Sequence, residues 1–162
     1  MVSQAPKERR ERTRKEIKQL IDNRSSMLAQ FYHLARLAED NNTDTSETLD
    51  LVEEFCQNLV DYLAAGHFEI YRRIEEGNER RNEMIRLAEK IMPRINNTTQ
   101  VAIAFNDLYD SSSKICDEAV EKLPVHLSKL GEELATRIDL EDQFISLLLT
   151  AGSKPILTTV SA

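Results

Sequence analysis

The sequence predicts an all-α fold, an antiparallel bundle of four long helices with short extra helices. Three observations predict it. Apolar residues recur at steps of three and four along nearly all of the 162-residue chain, the period of one helix face. Only four glycines and four prolines punctuate it, so the elements are long and the connections few. No stretch alternates apolar and polar residues as a half-buried strand would.

The first helix is expected from about Lys7 to Glu39. Its stripe is Ile17, Leu20 or Ile21, Leu28, Phe31, Leu34 or Ala35, and Ala38, with a weak stretch at Asn23 to Ser26. A polar loop follows over Asp40 to Ser46, where Asp44 and Glu47 have the spacing of a capping box. The second helix spans Thr45 to Glu76, with Leu49, Val52, Cys56, Leu59, Leu63, Gly66, Ile70 and Ile74 on one side. Gly77 and Asn78 end it. The third carries Met84, Ala88, Ile91 and Ile95. Pro93 either kinks it or opens a new helix through Ala102, Phe105, Leu108 and Tyr109. A short helix is expected over Ile115 to Lys122. A last one starts at Pro124, with Leu127, Leu130, Leu134, Ile138, Ile145 and Leu148 as its stripe. The bundle domain is therefore expected over residues 17–152. A charged, frayed segment precedes it at 1–16, and a mobile tail follows at 153–162.

Net charge is −7, from 21 basic and 28 acidic side chains. Residues 1–16 hold six basic groups and three acidic ones. The remainder is left with 15 basic and 25 acidic groups, a balance of −10. Such a body repels nucleic acid and attracts a basic partner. That argues against a DNA-binding regulator, the reading the arginine-rich start invites. From Glu39 to Glu54 there are seven carboxylates and no Lys or Arg. The cysteines, Cys56 and Cys116, are isolated and expected as free thiols in a reducing compartment. Met1 to Glu16 lacks the apolar run of a signal peptide, and no apolar run reaches the ~20 residues that span a bilayer. A cytoplasmic location is expected.

Catalytic signatures are missing: no glycine-rich phosphate loop, no nucleophile elbow, no Cys-x-x-Cys. His33, His67 and His126 have no metal-ligand spacing on one helix turn. Neither enzyme chemistry, a metal nor a cofactor is expected. A metal- or cofactor-binding bundle protein is the alternative function, and ligand spacing speaks against it.

A projection of the second helix at about 100° per residue, with Leu63 at zero, keeps the apolar stripe within about 60° of zero. Phe68 then falls near 140° and Asp61 near 160°. Gln57, Arg72 and the small Ala64 and Ala65 lie around them. An aromatic ring opposite the core stripe, with small and charged residues beside it, reads as a partner surface. Gly66 is on the core side, where close approach of another helix offsets its cost of roughly 1 kcal/mol. His67, at the stripe's edge, is expected as a hydrogen-bonded interior residue. Glu141 interrupts the last helix's apolar stripe and should find a donor, with His67, Arg72 and Arg73 as candidates.

The segment Phe55 to Ile74, FCQNLVDYLAAGHFEIYRRI, resembles the signature helix of the Rsd/AlgQ family of bacterial anti-sigma factors. KIMP at Lys90 to Pro93 and DLEDQFISLLL at Asp139 to Leu149 also resemble it. Two places depart from the family pattern: Lys18-Gln19-Leu20 stands where members carry Asp-Arg-Trp, and Met92 stands for the pre-proline aromatic. The resemblance implies a helical bundle that binds region 4 of the primary sigma factor. Region 4 is a basic helix-turn-helix module that reads the −35 element and docks on core polymerase. The resemblance places the family's sigma-contacting Asp and Phe on Asp61 and Phe68. It implies a monomer that holds one sigma factor and touches neither nucleic acid nor membrane.

Overall fold

The computed structural model describes residues 4–40, 45–76, 81–111, 115 and 117–150, without the side chains of 4–6, 69–76, 81 and 117. Four helices make up the described chain: α1 (Gln4–Glu39), α2 (Thr45–Glu76), α3 (Arg81–Tyr109) and α4 (Asp117–Thr150). Contacts run α1 to α2, α2 to α3, α3 to α4 and α4 to α1, which closes a ring around the buried interior.

The helices bury the side that their period sets. Ile17, Leu20, Met27 and Leu34 face inward from α1, and Val52, Phe55, Cys56, Leu59, Tyr62 and Leu63 from α2. Phe105 and Tyr109 of α3 join them, with Leu123, Leu127, Leu130 and Leu134 of α4. At mid-bundle an aromatic layer links three helices. Phe55 lies between Phe31 and Phe105, with ring centroids 6.0 and 5.8 Å away. Gly131 makes room for that layer, because a Cβ there would stand 2.8 Å from the Phe31 ring.

Several sequence expectations are corrected. Of the two readings of Pro93, the new helix is not found: the residues on either side form one helix, α3. The short helix expected to Lys122 and the helix expected to open at Pro124 are likewise one, α4. No extra short helix occurs among the described residues. An internal proline costs about 3 kcal/mol through a lost hydrogen bond and a crowded carbonyl. Burying a Leu or Ile is worth about 1.5–3 kcal/mol. Ile91 and Ile95 flank Pro93, and Leu123 and Leu127 flank Pro124, all four buried, so packing outweighs each break. Asn23 to Ser26 does not interrupt α1, which starts three residues before Lys7. Asp44, Cys116 and the tail expected at 153–162 lie outside the described residues. Cys56 is buried and free. No helix among the described residues is long and apolar enough to cross a membrane.

Candidate functional site

Two places on α2 stand out, on opposite sides of the same turns. The inner one is a polar layer in the middle of the core. Glu141 and Arg137, one helical turn apart on α4, are each only 2% exposed. Arg137 Nε donates to Glu141 Oε2 at 3.2 Å. The hydroxyl of Tyr62 on α2 donates to Glu141 Oε1 at 2.5 Å. Arg24 on α1 approaches the same oxygen at 3.5 Å and pairs with Asp142 at 2.9 Å. Arg137 Nη1 donates to the hydroxyls of Thr99 and Thr98 on α3, at 2.7 and 3.2 Å. Its guanidinium also lies 5.6 Å from the centroid of the Tyr62 ring. One buried carboxylate thus gathers donors from α1, α2 and α4, and its arginine reaches α3.

Gly66 belongs to this layer. A Cβ there would stand 3.2 Å from Glu141 Oε2 and 3.6 Å from Arg137 Nη2. The missing side chain lets α2 lie against the buried pair. Burial pushes the Glu141 carboxyl above its ordinary value, against the pull of Arg137, Tyr62 and Arg24. Burial and the Glu141 charge push the Tyr62 hydroxyl up as well.

The donors to Glu141 correct the expectation. His67 is exposed and stands edge-on to Phe68, with centroids 6.0 Å apart. The side chains of Arg72 and Arg73 lie outside the described residues. The buried side of α2 is centred about 40° away from Leu63, towards Phe55 and Tyr62. That rotation carries His67 out of the core and Tyr62 into it. Arg137 was legible only as the residue four before Glu141. The apolar stripe pointed to Ile138, which is half-buried.

The outer place is the opposite ridge of α2. Phe68 is 69% exposed. Gln57, Asp61 and Ala64 are exposed beside it, and Ala65 is half-buried against the core on the α1 side. Val60, 41% exposed, extends the ridge by two turns and was missed in the sequence, because it follows the buried Leu59 in an apolar run. Val60, Ala64 and Phe68 repeat at steps of four, so the three line up along the helix. Among the described residues no group of three or more His, Cys, Asp or Glu could hold a metal ion. The ridge offers contact area and charge. It has no nucleophile paired with a base.

Comparison with known proteins bears on the whole chain. A family model described as "Regulator of RNA polymerase sigma(70) subunit, Rsd/AlgQ" matches residues 1–149. A protein named Regulator of sigma D from Yersinia pseudotuberculosis is 35% identical over 130 residues, covering 80% of this chain and 76% of its own. One from Yersinia enterocolitica is 33% identical over 144 residues, covering 87% and 86%. One from Shigella dysenteriae is 37% identical over 132 residues, covering 80% of each. No solved structure matches the chain.

Proposed function

From its membership of the Rsd/AlgQ family of regulators of the RNA polymerase sigma(70) subunit, to which the chain belongs, we propose that it is an anti-sigma factor acting by binding alone. One molecule binds region 4 of the primary sigma factor in the cytoplasm, as a monomer, and covers the surfaces that region uses for the −35 element and for core polymerase. The observation that carries this reading is the outward ridge of α2. A large aromatic side chain, Phe68, stands in solvent one turn from Ala64 and two turns from Asp61. An exposed ring costs hydration free energy in the free protein and returns it on seating in an apolar depression. Asp61 accepts from a basic or backbone donor of region 4. The −10 balance of residues 17–162 speeds the approach of a basic module.

The test is a titration of purified sigma region 4 with the wild-type chain and with Phe68→Ala. Loss of an interface anchor should weaken binding by roughly 2–4 kcal/mol. The melting temperature should stay put, because the ring contributes little to the fold. Equal affinity of the two proteins would remove Phe68 from the interface.

A further inference from the structure

We infer that the docking surface is the trough between α2 and α3, and that its occupant is a basic, amphipathic helix of the sigma factor lying along it with apolar side chains on Phe68, Val60 and Ile103. The inference rests on the reading that the α2 ridge binds sigma, and adds which side of the ridge the partner occupies.

Position is the first argument. The α1 flank of α2 is marked by Asn58, whose amide donates to Gln30 of α1. α2 packs on both α1 and α3, so the flank of its buried side away from Asn58, which carries the buried Cys56, faces α3. Val60 follows Cys56 by four residues, about 40° further round, so it lies on the α3 side. On α3, Arg94 marks the flank facing α4, because its guanidinium pairs with Glu133 there at 2.9 Å. Ile103 comes nine residues later, about 180° away from that flank. It is 48% exposed. The two residues also share a level. Phe55 and Phe105 pack directly, and α2 and α3 run antiparallel. Val60 lies about 7.5 Å from Phe55 along α2, and Ile103 about 3 Å from Phe105 along α3, both towards the same end of the bundle. They flank one trough within about 5 Å of each other along its length, and Phe68 stands two turns beyond.

Charge is the second argument. No Lys or Arg occurs from Thr45 to Tyr71 or from Ile95 to Ser111, so the walls carry no cation around Val60 and Ile103; Arg72 lies one turn beyond Phe68, and Lys90 and Arg94, level with Phe68, fall about 140° and 180° away from Ile103 around α3. Glu53, Asp61, Asp107 and Asp110 are exposed along these walls. The neighbouring helices differ: Lys18 and Arg14 are exposed on α1, and Lys122 and Lys129 on α4. An apolar trough edged by carboxylates around Val60 and Ile103 complements a helix with an apolar stripe and basic flanks, the helix-in-groove mode of recognition.

The experiment measures the affinity of the full-length chain for purified primary sigma factor. It compares Ile103→Arg, Phe68→Ala and Tyr32→Arg, with sedimentation and melting of each protein alone. Ile103→Arg puts a cation into the trough and should weaken binding at least tenfold with unchanged melting. Tyr32, 66% exposed on α1, is away from the trough, and Tyr32→Arg should bind as wild type. Should Ile103→Arg fail to fold, Ile103→Ser carries the same comparison, with a loss of about threefold or more expected. If Phe68→Ala weakens binding while the Ile103 variant matches wild type, the trough assignment is wrong and the α2 reading stands. If both match wild type, the α2 reading itself fails. A wild-type dimer that Ile103→Arg dissociates, with sigma affinity kept, would make the trough a self-interface and overturn the proposal.

Discussion

Tyr62 and Phe68 sit six residues apart on one helix and are governed by opposite rules. Tyr62 is sealed in the core, and its hydroxyl, the one polar atom of its side chain, meets the one acceptor, Glu141. Phe68 has no polar atom to satisfy and stands mostly in solvent. The inner side of α2 is satisfied within the chain: a carboxylate, two guanidinium groups, a phenol and two threonine hydroxyls pair with one another across all four helices. The outer ridge leaves apolar area of Phe68 and Val60 exposed among the described residues. A bundle needs its inner surface satisfied in order to fold. It can leave an outer surface open only at the cost of exposed apolar area, and along α2 that asymmetry separates the side the fold needs from the side it does not.

The comparison breaks first at Arg137. Arg137→Leu would leave Glu141 buried without its closest cation. Removing one partner of a buried pair costs on the order of 3–5 kcal/mol. Urea unfolding should show a loss of that size. A loss below about 1 kcal/mol would mean that Arg24 and Tyr62 satisfy the carboxylate alone, and the layer would count for little. Next comes a matched pair on α2. Leu63→Ala should cost about 2–5 kcal/mol of stability through cavity formation and should change sigma binding only through unfolding. Phe68→Ala should leave the unfolding midpoint in place and lose affinity instead. Both substitutions delete a large apolar side chain from the same helix. If Phe68→Ala unfolded the protein and Leu63→Ala did not, the division into inner and outer sides would be reversed.

Gly66→Ala is a finer probe. Alanine in place of a mid-helix glycine gains about 1 kcal/mol of helix propensity. Its Cβ, however, would press on Glu141 Oε2 at 3.2 Å, an oxygen already held by Arg137. Because that carboxylate is pinned, the crowding should cancel the gain and leave a net loss of roughly 1 kcal/mol. A stabilised Gly66→Ala variant would show that the layer yields more freely than its hydrogen bonds imply.

Much of this division was legible in the residue order. The bounds of α2 follow from its period and its flanking turn residues, and Phe68's outward position follows from the same period. What period cannot supply is the neighbour. Pro93 read as a kink or a new start and Pro124 as a start because propensity is local, whereas the buried residues on either side of each belong to the bundle. Arg137 stands off the apolar stripe of Leu134 and Ile138, and burying its guanidinium is costly; the partners that offset the cost are Thr98 and Thr99 on another helix and Glu141. His67 read as interior because the stripe was centred on Leu63, while the buried side is centred nearer Tyr62. The role given to Ile103 depends on which helix stands beside α3, and no stripe within α3 records that.

The smallest expected effect is a pH dependence that belongs to the inner side alone. Burial raises the Glu141 carboxyl above its ordinary value of 4.5 in the folded chain, while the unfolded chain keeps the ordinary value. Between those two values the folded state binds the proton more tightly than the unfolded one. Stability from this group is therefore fully present below 4.5 and is lost as pH rises through the folded value. Glu141→Gln cannot titrate and lacks this dependence. The stability difference, wild type minus Glu141→Gln, should shrink as pH rises from 4.5 towards neutrality. It should be read from urea unfolding of both proteins at matched pH, so that carboxylates common to both cancel. The opposite slope, wild type gaining on the glutamine variant with rising pH, would mean that Arg137, Tyr62 and Arg24 together outweigh burial and hold the carboxyl below its ordinary value. The layer would then act as an ion pair first and a hydrogen-bond network second.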